Sequence, residues 1–155
     1  MLLKEGFKFL KTTTPLITIP ENADLEIVRI SVGAGSITAK DTVFSCKSGK
    51  FEVTAGNLVM KKVKGGNIDF RCGMGNLSFN GVTTGQCNVD CGMGNIELEI
   101  SGNPTEYSAD AKVGLGEFKF NDHKKGGIGD MSCSDKKVNH FSVNCGFGSV
   151  KINVR

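Results

Sequence analysis

The chain has 155 residues, 39% of them hydrophobic, and a formal net charge of only +3. That length suits one domain with a real core, and that composition excludes an intrinsically disordered chain. So small a charge does not argue for a nucleic-acid partner, while 21 Gly, three Pro and no Trp fit short strands joined by tight turns.

Residues 1–26 hold Phe7, Phe9, Leu16, Ile17 and Ile19 without regular spacing. They are apolar enough to cover the open end of a repeating structure, and an N-terminal cap is expected there. Within it, Met1–Lys11 has neither a continuous apolar core nor a small-residue cleavage site, and no later run approaches membrane-spanning length. A cytoplasmic protein is expected on that basis; the alternative is a cell-surface protein whose export segment has been lost.

From residue 27 onward the chain repeats one phrase, Gly-x-Gly followed by an alternating apolar run. The copies are Val32-Gly33-Ala34-Gly35, Cys72-Gly73-Met74-Gly75, Cys91-Gly92-Met93-Gly94, Val113-Gly114-Leu115-Gly116 and Cys145-Gly146-Phe147-Gly148. A weaker copy, Val53-Thr54-Ala55-Gly56, fills the gap between the first two. Counted on the last Gly, the steps are 21, 19, 19, 22 and 32 residues. A period near 20 is the mark of a solenoid, whose repeats bury their apolar faces only by stacking.

Within each repeat the alternation has period two, which is strand patterning. Inward positions before the corner are Ile30/Val32, Phe51/Val53, Phe70/Cys72, Val89/Cys91, Ala111/Val113 and Val143/Cys145. After it they are Ile37/Ala39, Leu58/Met60, Leu77/Phe79, Ile96/Leu98, Phe118/Phe120 and Val150/Ile152. The glycines are expected to take positive φ at the corner, with Asn57, Asn76 and Asn95 as turn-tolerant followers. Stacked coils then form parallel ladders about 4.8 Å apart. The expected fold is all-β: a single-stranded parallel β-helix of about five to six coils of roughly 19–22 residues, one domain over 1–155.

Cys72, Cys91 and Cys145 occupy a slot that holds Val in other copies, so these thiols read as reduced core residues. One place earlier stands an outward column, Glu52, Arg71, Asp90 and Lys112, whose signs alternate down consecutive coils as a register device. Two stretches break the period: a short one around Gly102-Asn103-Pro104-Thr105, and a polar excursion over 121–137. The last run, Ser149–Arg155, simply stops, so its edge is expected to be free for another chain, giving a homo-oligomer through the C-terminal coil.

The phrase Cys91-Gly92-Met93-Gly94-Asn95-Ile96-Glu97-Leu98-Glu99-Ile100 resembles the bacterial β-strand-repeat family that carries an adhesin label. Val32–Thr38 and Cys145–Ile152 fit the same pattern, and the resemblance covers roughly 27–155. It implies a single-stranded β-helix with a surface or interaction role, and it brings no catalytic motif.

No catalytic residue, cofactor or metal site is expected. Cys87 and Cys91 lie on an inward side, and His123 and His140 are the only histidines, too few to compose a ligand set. Basic clusters with His123, Lys124, Lys125, Lys136, Lys137, Lys61, Lys62 and Lys64 form the expected contact surface. The expected function is a non-enzymatic interaction or structural module with a protein or cell-surface partner, and with no specific nucleic acid. The alternatives are an intracellular self-assembling β-helix scaffold and a glycan-binding or glycan-cleaving solenoid, for which the column Glu52, Arg71, Asp90 and Lys112 has the composition of a groove.

Overall fold

Every second apolar residue of the chain needs a dry partner, and the structure supplies one by winding strands over each other. The computed structural model describes residues 7–8, 20, 22–39, 43–133 and 135–155. In chain order the strands are β1 Phe7–Lys8, β2 Ala23–Ala39, β3 Phe44–Cys72, β4 Asn76–Thr83, β5 Gln86–Cys91 and β6 Asn95–Ile100. Then follow β7 Tyr107–Val113, β8 Glu117–Phe120, β9 His123–Gly126, β10 Gly129–Cys133, β11 Asn139–Cys145 and β12 Ser149–Val154. A 3₁₀ turn at Pro104–Glu106 precedes β7, and Asn103 caps it by accepting from the Thr105 N–H at 3.1 Å. All twelve strands found among the described residues belong to one sheet that wraps on itself as a β-solenoid-like body.

The register read from the alternation holds from Phe51 on, where every inward position named above is buried. Of the four inward positions named for the first rung only Val32 is buried; Ile30, Ile37 and Ala39 are partly exposed against the core. Phe51 stacks on Phe70 with centroids 5.7 Å apart, and Phe79 meets Phe70 edge-on at 5.1 Å. Of the expected N-terminal cap, all but Phe7–Lys8, Pro20 and residues 22–26 lies outside the described residues. Phe7–Lys8 pair in parallel with Ile30–Ser31, while Ala23 onward already belongs to the first rung.

The order of the rungs corrects the reading in two places. The C-terminal coil is not an open edge: β11 lies between β5 and β7, and β12 lies between β6 and β8, parallel on both sides. The chain therefore skips one slot after β6, builds the next rung as β7 and β8, and returns at the end to fill the gap. The longer 22-residue step contains that crossover at Gly102–Thr105. Several bonds hold the inserted rung: Arg155 N–H donates to Ile100 O at 2.9 Å, Gly102 N–H to Arg155 O at 3.1 Å, and Val154 N–H to Asn121 Oδ1 at 2.7 Å. The Arg155 guanidinium also sits 2.9 Å from Glu99.

The second correction concerns the polar excursion. Residues 121–137 are not a loop throughout: Asn121, with φ 50°, turns the chain back, and β9 and β10 run antiparallel to β8 and β7 as a reversed final rung. The sheet is therefore mixed, where a wholly parallel helix was expected. A reversed rung offers the stack an edge of different geometry and carries Lys124 and Lys125 on it, a common way of blunting an edge.

The glycine corners also work differently from expectation. Of the marker glycines only Gly35 has positive φ. The others are required by contact: a Cβ on Gly56, Gly75, Gly94, Gly148 or Gly116 would run into the carbonyl oxygen of the glycine stacked beside it. Gly94→Ala is accordingly expected to lose about 1–3 kcal/mol of stability by overpacking. In Gly33→Ala the added Cβ meets nothing within 4 Å, so its stability is expected to stay within about 0.5 kcal/mol. Denaturant unfolding of the two variants checks the contrast.

Candidate interaction surface

A corner that packs its two glycines against the neighbouring rungs leaves the residue between them pointing out. Backbone bonds set the stacking: Met93 N–H donates to Gly73 O at 2.8 Å, Phe147 N–H to Gly92 O at 2.8 Å, Gly116 N–H to Gly146 O at 2.9 Å and Gly127 N–H to Gly116 O at 3.1 Å. Met74, Met93, Phe147, Leu115 and Ile128 thus follow one another on successive rungs. Their exposures are 61%, 62%, 67%, 63% and 78%, where the other large apolar side chains among the described residues are mostly interior. At about 4.8 Å per rung the stripe runs roughly 19 Å, and contiguous exposed apolar surface of this kind marks contact sites.

Inside the same corners, the thiols of Cys72, Cys91 and Cys145 donate to the carbonyls of Gly75, Gly94 and Gly148 at 3.1, 3.1 and 3.2 Å. This gives the Val/Cys slot a polar use beyond packing. All six cysteines are buried and free, and burial followed by its neighbours Cys145 and Cys72 pushes the Cys91 thiol up to about 12. The stacked thiols therefore remain protonated and brace the corner that presents the stripe.

Two polar columns flank the stripe. On one side Asn76 Nδ2 donates to Asn57 Oδ1 and Asn95 Nδ2 to Asn76 Oδ1, each at 2.9 Å, an amide ladder satisfied by itself. On the other side stands the charge column, with a groove of about 490 Å³ between it and the corner, lined by Glu52, Arg71, Asp90 and Asn144 among others. Arg71 and Asp90 are paired rungs with a 3.7 Å contact, as the alternation requires. Glu52 instead meets Lys50 of its own strand at 3.2 Å. Lys112 is not the next rung after Asp90: the inserted strand places Asn144 between them, and Asp130 follows Lys112.

The basic residues fall on separate places. Lys62, at φ 60°, occupies an irregularity between Lys61 and Val63, with Lys61 just before it and Lys64 just beyond. His123, Lys124 and Lys125 are on β9 at the far end of the stack, where Lys124 meets Glu117 at 3.0 Å. Lys136 and Lys137 lead into β11, and the Lys137 N–H donates to Ser108 Oγ at 2.9 Å. With β4, β6, β12 and β8 between the first cluster and the second, these lysines do not form one patch.

One network with a buried Ser and His escaped sequence spacing. Ser108 Oγ is 2.8 Å from His140 Nδ1, and His140 Nε2 is 3.4 Å from Asp110. Because the Ser108 oxygen accepts from Lys137, its proton goes to Nδ1, leaving the Nε2 proton toward Asp110. Ser108 and His140 are both buried while Asp110 reaches the surface, and the bonds of Ser108 and His140 stay within the protein, tying β7 to the inserted β11. Among the described residues no group of three His, Cys, Asp or Glu is placed to hold a metal ion, and no helix is long and apolar enough to cross a membrane.

A family model described as Toastrack DUF4097 matches residues 1–128, leaving the stretch that contains β10, β11 and β12 beyond the match. No curated protein and no solved structure matches the chain.

Burial lowers the His140 pKa below its usual 6.5, Asp110 opposing that shift and Lys136 adding to it. A depressed histidine leaves the unfolded chain binding more protons, so stability is full above about pH 6.5 and falls as pH drops toward the folded value. Thermal midpoints taken between about pH 8 and pH 5 are expected to decline on the acid side, with a smaller decline in His140→Gln.

Proposed function

The chain belongs to the Toastrack DUF4097 family, a β-repeat family, and on that premise we propose that it is a non-enzymatic, rigid interaction module that binds a protein partner through its glycine-corner stripe. The observation behind this reading is the stripe itself: five large apolar side chains exposed on consecutive rungs of a hydrogen-bonded sheet. A sheet of this kind presents them at fixed spacing with little entropy to lose on docking. Long side chains such as Met adapt to a partner's surface, and Phe147 supplies the aromatic anchor typical of interface centres.

Adhesion to a cell-surface partner is the finer form of this reading, and it rests on the resemblance of the Gly-x-Gly repeats to the adhesin-labelled family. The free, buried thiols favour a reducing compartment instead. End-to-end polymerisation through the C-terminal rung loses its basis, because both edges of that rung are already paired. The carboxylates of the groove, Glu52 and Asp90, each face a cation, which suits a register column better than an acid and base pair.

A photo-crosslinking residue placed at Phe147, and separately at the exposed and remote Lys47, tests the proposal in source cells. A discrete protein adduct from position 147 alone is expected, and Phe147→Asp is expected to weaken capture of that protein by roughly tenfold, the size of a hot-spot loss. Equal, diffuse labelling from both positions would overturn it.

A further inference from the structure

We infer that the partner of the stripe is a second copy of this chain, docked antiparallel about a two-fold axis that crosses the stripe at Phe147. The inference rests on the reading of the stripe as an interaction surface and names its occupant. Most soluble homo-oligomers close through such self-complementary patches. A two-fold axis lying in the contact plane and perpendicular to the stack reverses the order of the rungs while keeping each lateral column opposite its own copy. Phe147 then faces Phe147, Met93 faces Leu115, and Met74 faces Ile128, so all five exposed apolar side chains find an apolar partner.

The charge column satisfies the same operation. In spatial order it reads Arg71, Asp90, Asn144, Lys112, Asp130, hence plus, minus, neutral, plus, minus. Reversed about Asn144, every charge on these five rungs meets its opposite: Arg71 faces Asp130, Asp90 faces Lys112, and Asn144 faces Asn144, while Glu52, one rung before Arg71, falls beyond the end of the partner's column. Shifting the two copies by one rung in the antiparallel arrangement brings like charges together, so the column selects the register that the apolar stripe also centres on. Opposed potentials of this kind set register and exclude wrong alignments more than they add affinity. The side of the stripe carrying Asn76, Asn95, Ser149 and Glu117 opposes no like charges under this axis, since Asn95 meets Glu117 and Ser149 meets itself.

Five rungs span about 24 Å including their edges, which puts the contact at the small end of specific interfaces and makes a concentration-dependent dimer the expected state. Sedimentation equilibrium of the full chain, from micromolar to millimolar, is expected to follow a monomer–dimer equilibrium. Phe147→Asp, an exposed position whose variant is checked for folding by circular dichroism, is expected to raise the dimer dissociation constant by roughly tenfold or more. The decisive measurement is a double-mutant cycle on that constant. Arg71 and Asp130 are several rungs apart within one copy, so they couple only across the axis. Arg71→Gln and Asp130→Asn are each expected to weaken the dimer, and the double variant no more than either alone.

Additive effects of the two charge variants, or a dimer indifferent to Phe147→Asp, would overturn the proposed geometry. A monomer at every concentration would overturn the second copy as partner. In that case a discrete adduct to a different protein from position 147 leaves the interaction surface standing, and diffuse labelling removes both readings.

Discussion

The fold depends on how closely one glycine corner can approach the next. From Gly56 on, each marker glycine lies against the carbonyl oxygen of its stacked neighbour, with no room for even a methyl group. That approach lets the two strands on either side of the corner continue their ladders without a break, and it brings Asn57, Asn76 and Asn95 close enough to bond in series. The same corner turns the thiols of Cys72, Cys91 and Cys145 inward onto glycine carbonyls. It leaves one residue per rung facing water. A single steric requirement therefore shapes the interior, the register and the exposed stripe together.

Insertion of the last rung makes the body more cooperative than a plain solenoid. In a simple repeat array each coil depends only on its neighbours in sequence, and stability sums along the chain. Here β7, β8 and the reversed rung have no parallel support until β11 and β12 arrive from the far end of the chain. The gap closes over Tyr107, whose hydroxyl donates to Thr83 O at 2.8 Å and whose ring stacks on Phe141. Contacts of such long sequence separation cost loop entropy before they repay it, which slows folding but couples the end of the chain to its middle.

Surface and interior carry different information in this protein. The interior is nearly uniform from rung to rung, because any mixture of Val, Ile, Leu, Phe and Cys that fills the same volume keeps the stack. The outward columns are not uniform: one is amide over three rungs at Asn57, Asn76 and Asn95, one alternates in sign, and one is apolar over five rungs and small at Ala34 and Ala55. A solenoid converts such columns into continuous lines, so a pattern spread over more than fifty residues of sequence becomes a patch of contact size. The Ser108, His140 and Asp110 network, by contrast, serves the assembly of the rungs and exposes no reactive atom of Ser108 or His140.

Sequence alone determined the composition of a rung: which residues point inward from Phe51 on, where each Gly-x-Gly corner lies and that the coils stack in register on both sides of that corner. These follow from period-two alternation and the spacing of Gly-x-Gly, which are local properties of a strand. It also placed Arg71 beside Asp90. Tertiary structure decided the order of the rungs, the reversal of residues 123–133 and the role of the marker glycines, because parallel strands of like pattern are interchangeable neighbours and nothing local tells Cys145 to lie beside Cys91. The stripe was half legible, since Met74, Met93, Leu115 and Phe147 all occupy the middle of their Gly-x-Gly phrases. Only the insertion put Phe147 between Met93 and Leu115, and only the reversed rung brought Ile128 to the end of the line. Backbone hydrogen bonding makes a strand accept any partner edge of matching shape, so the choice among edges belongs to the whole chain.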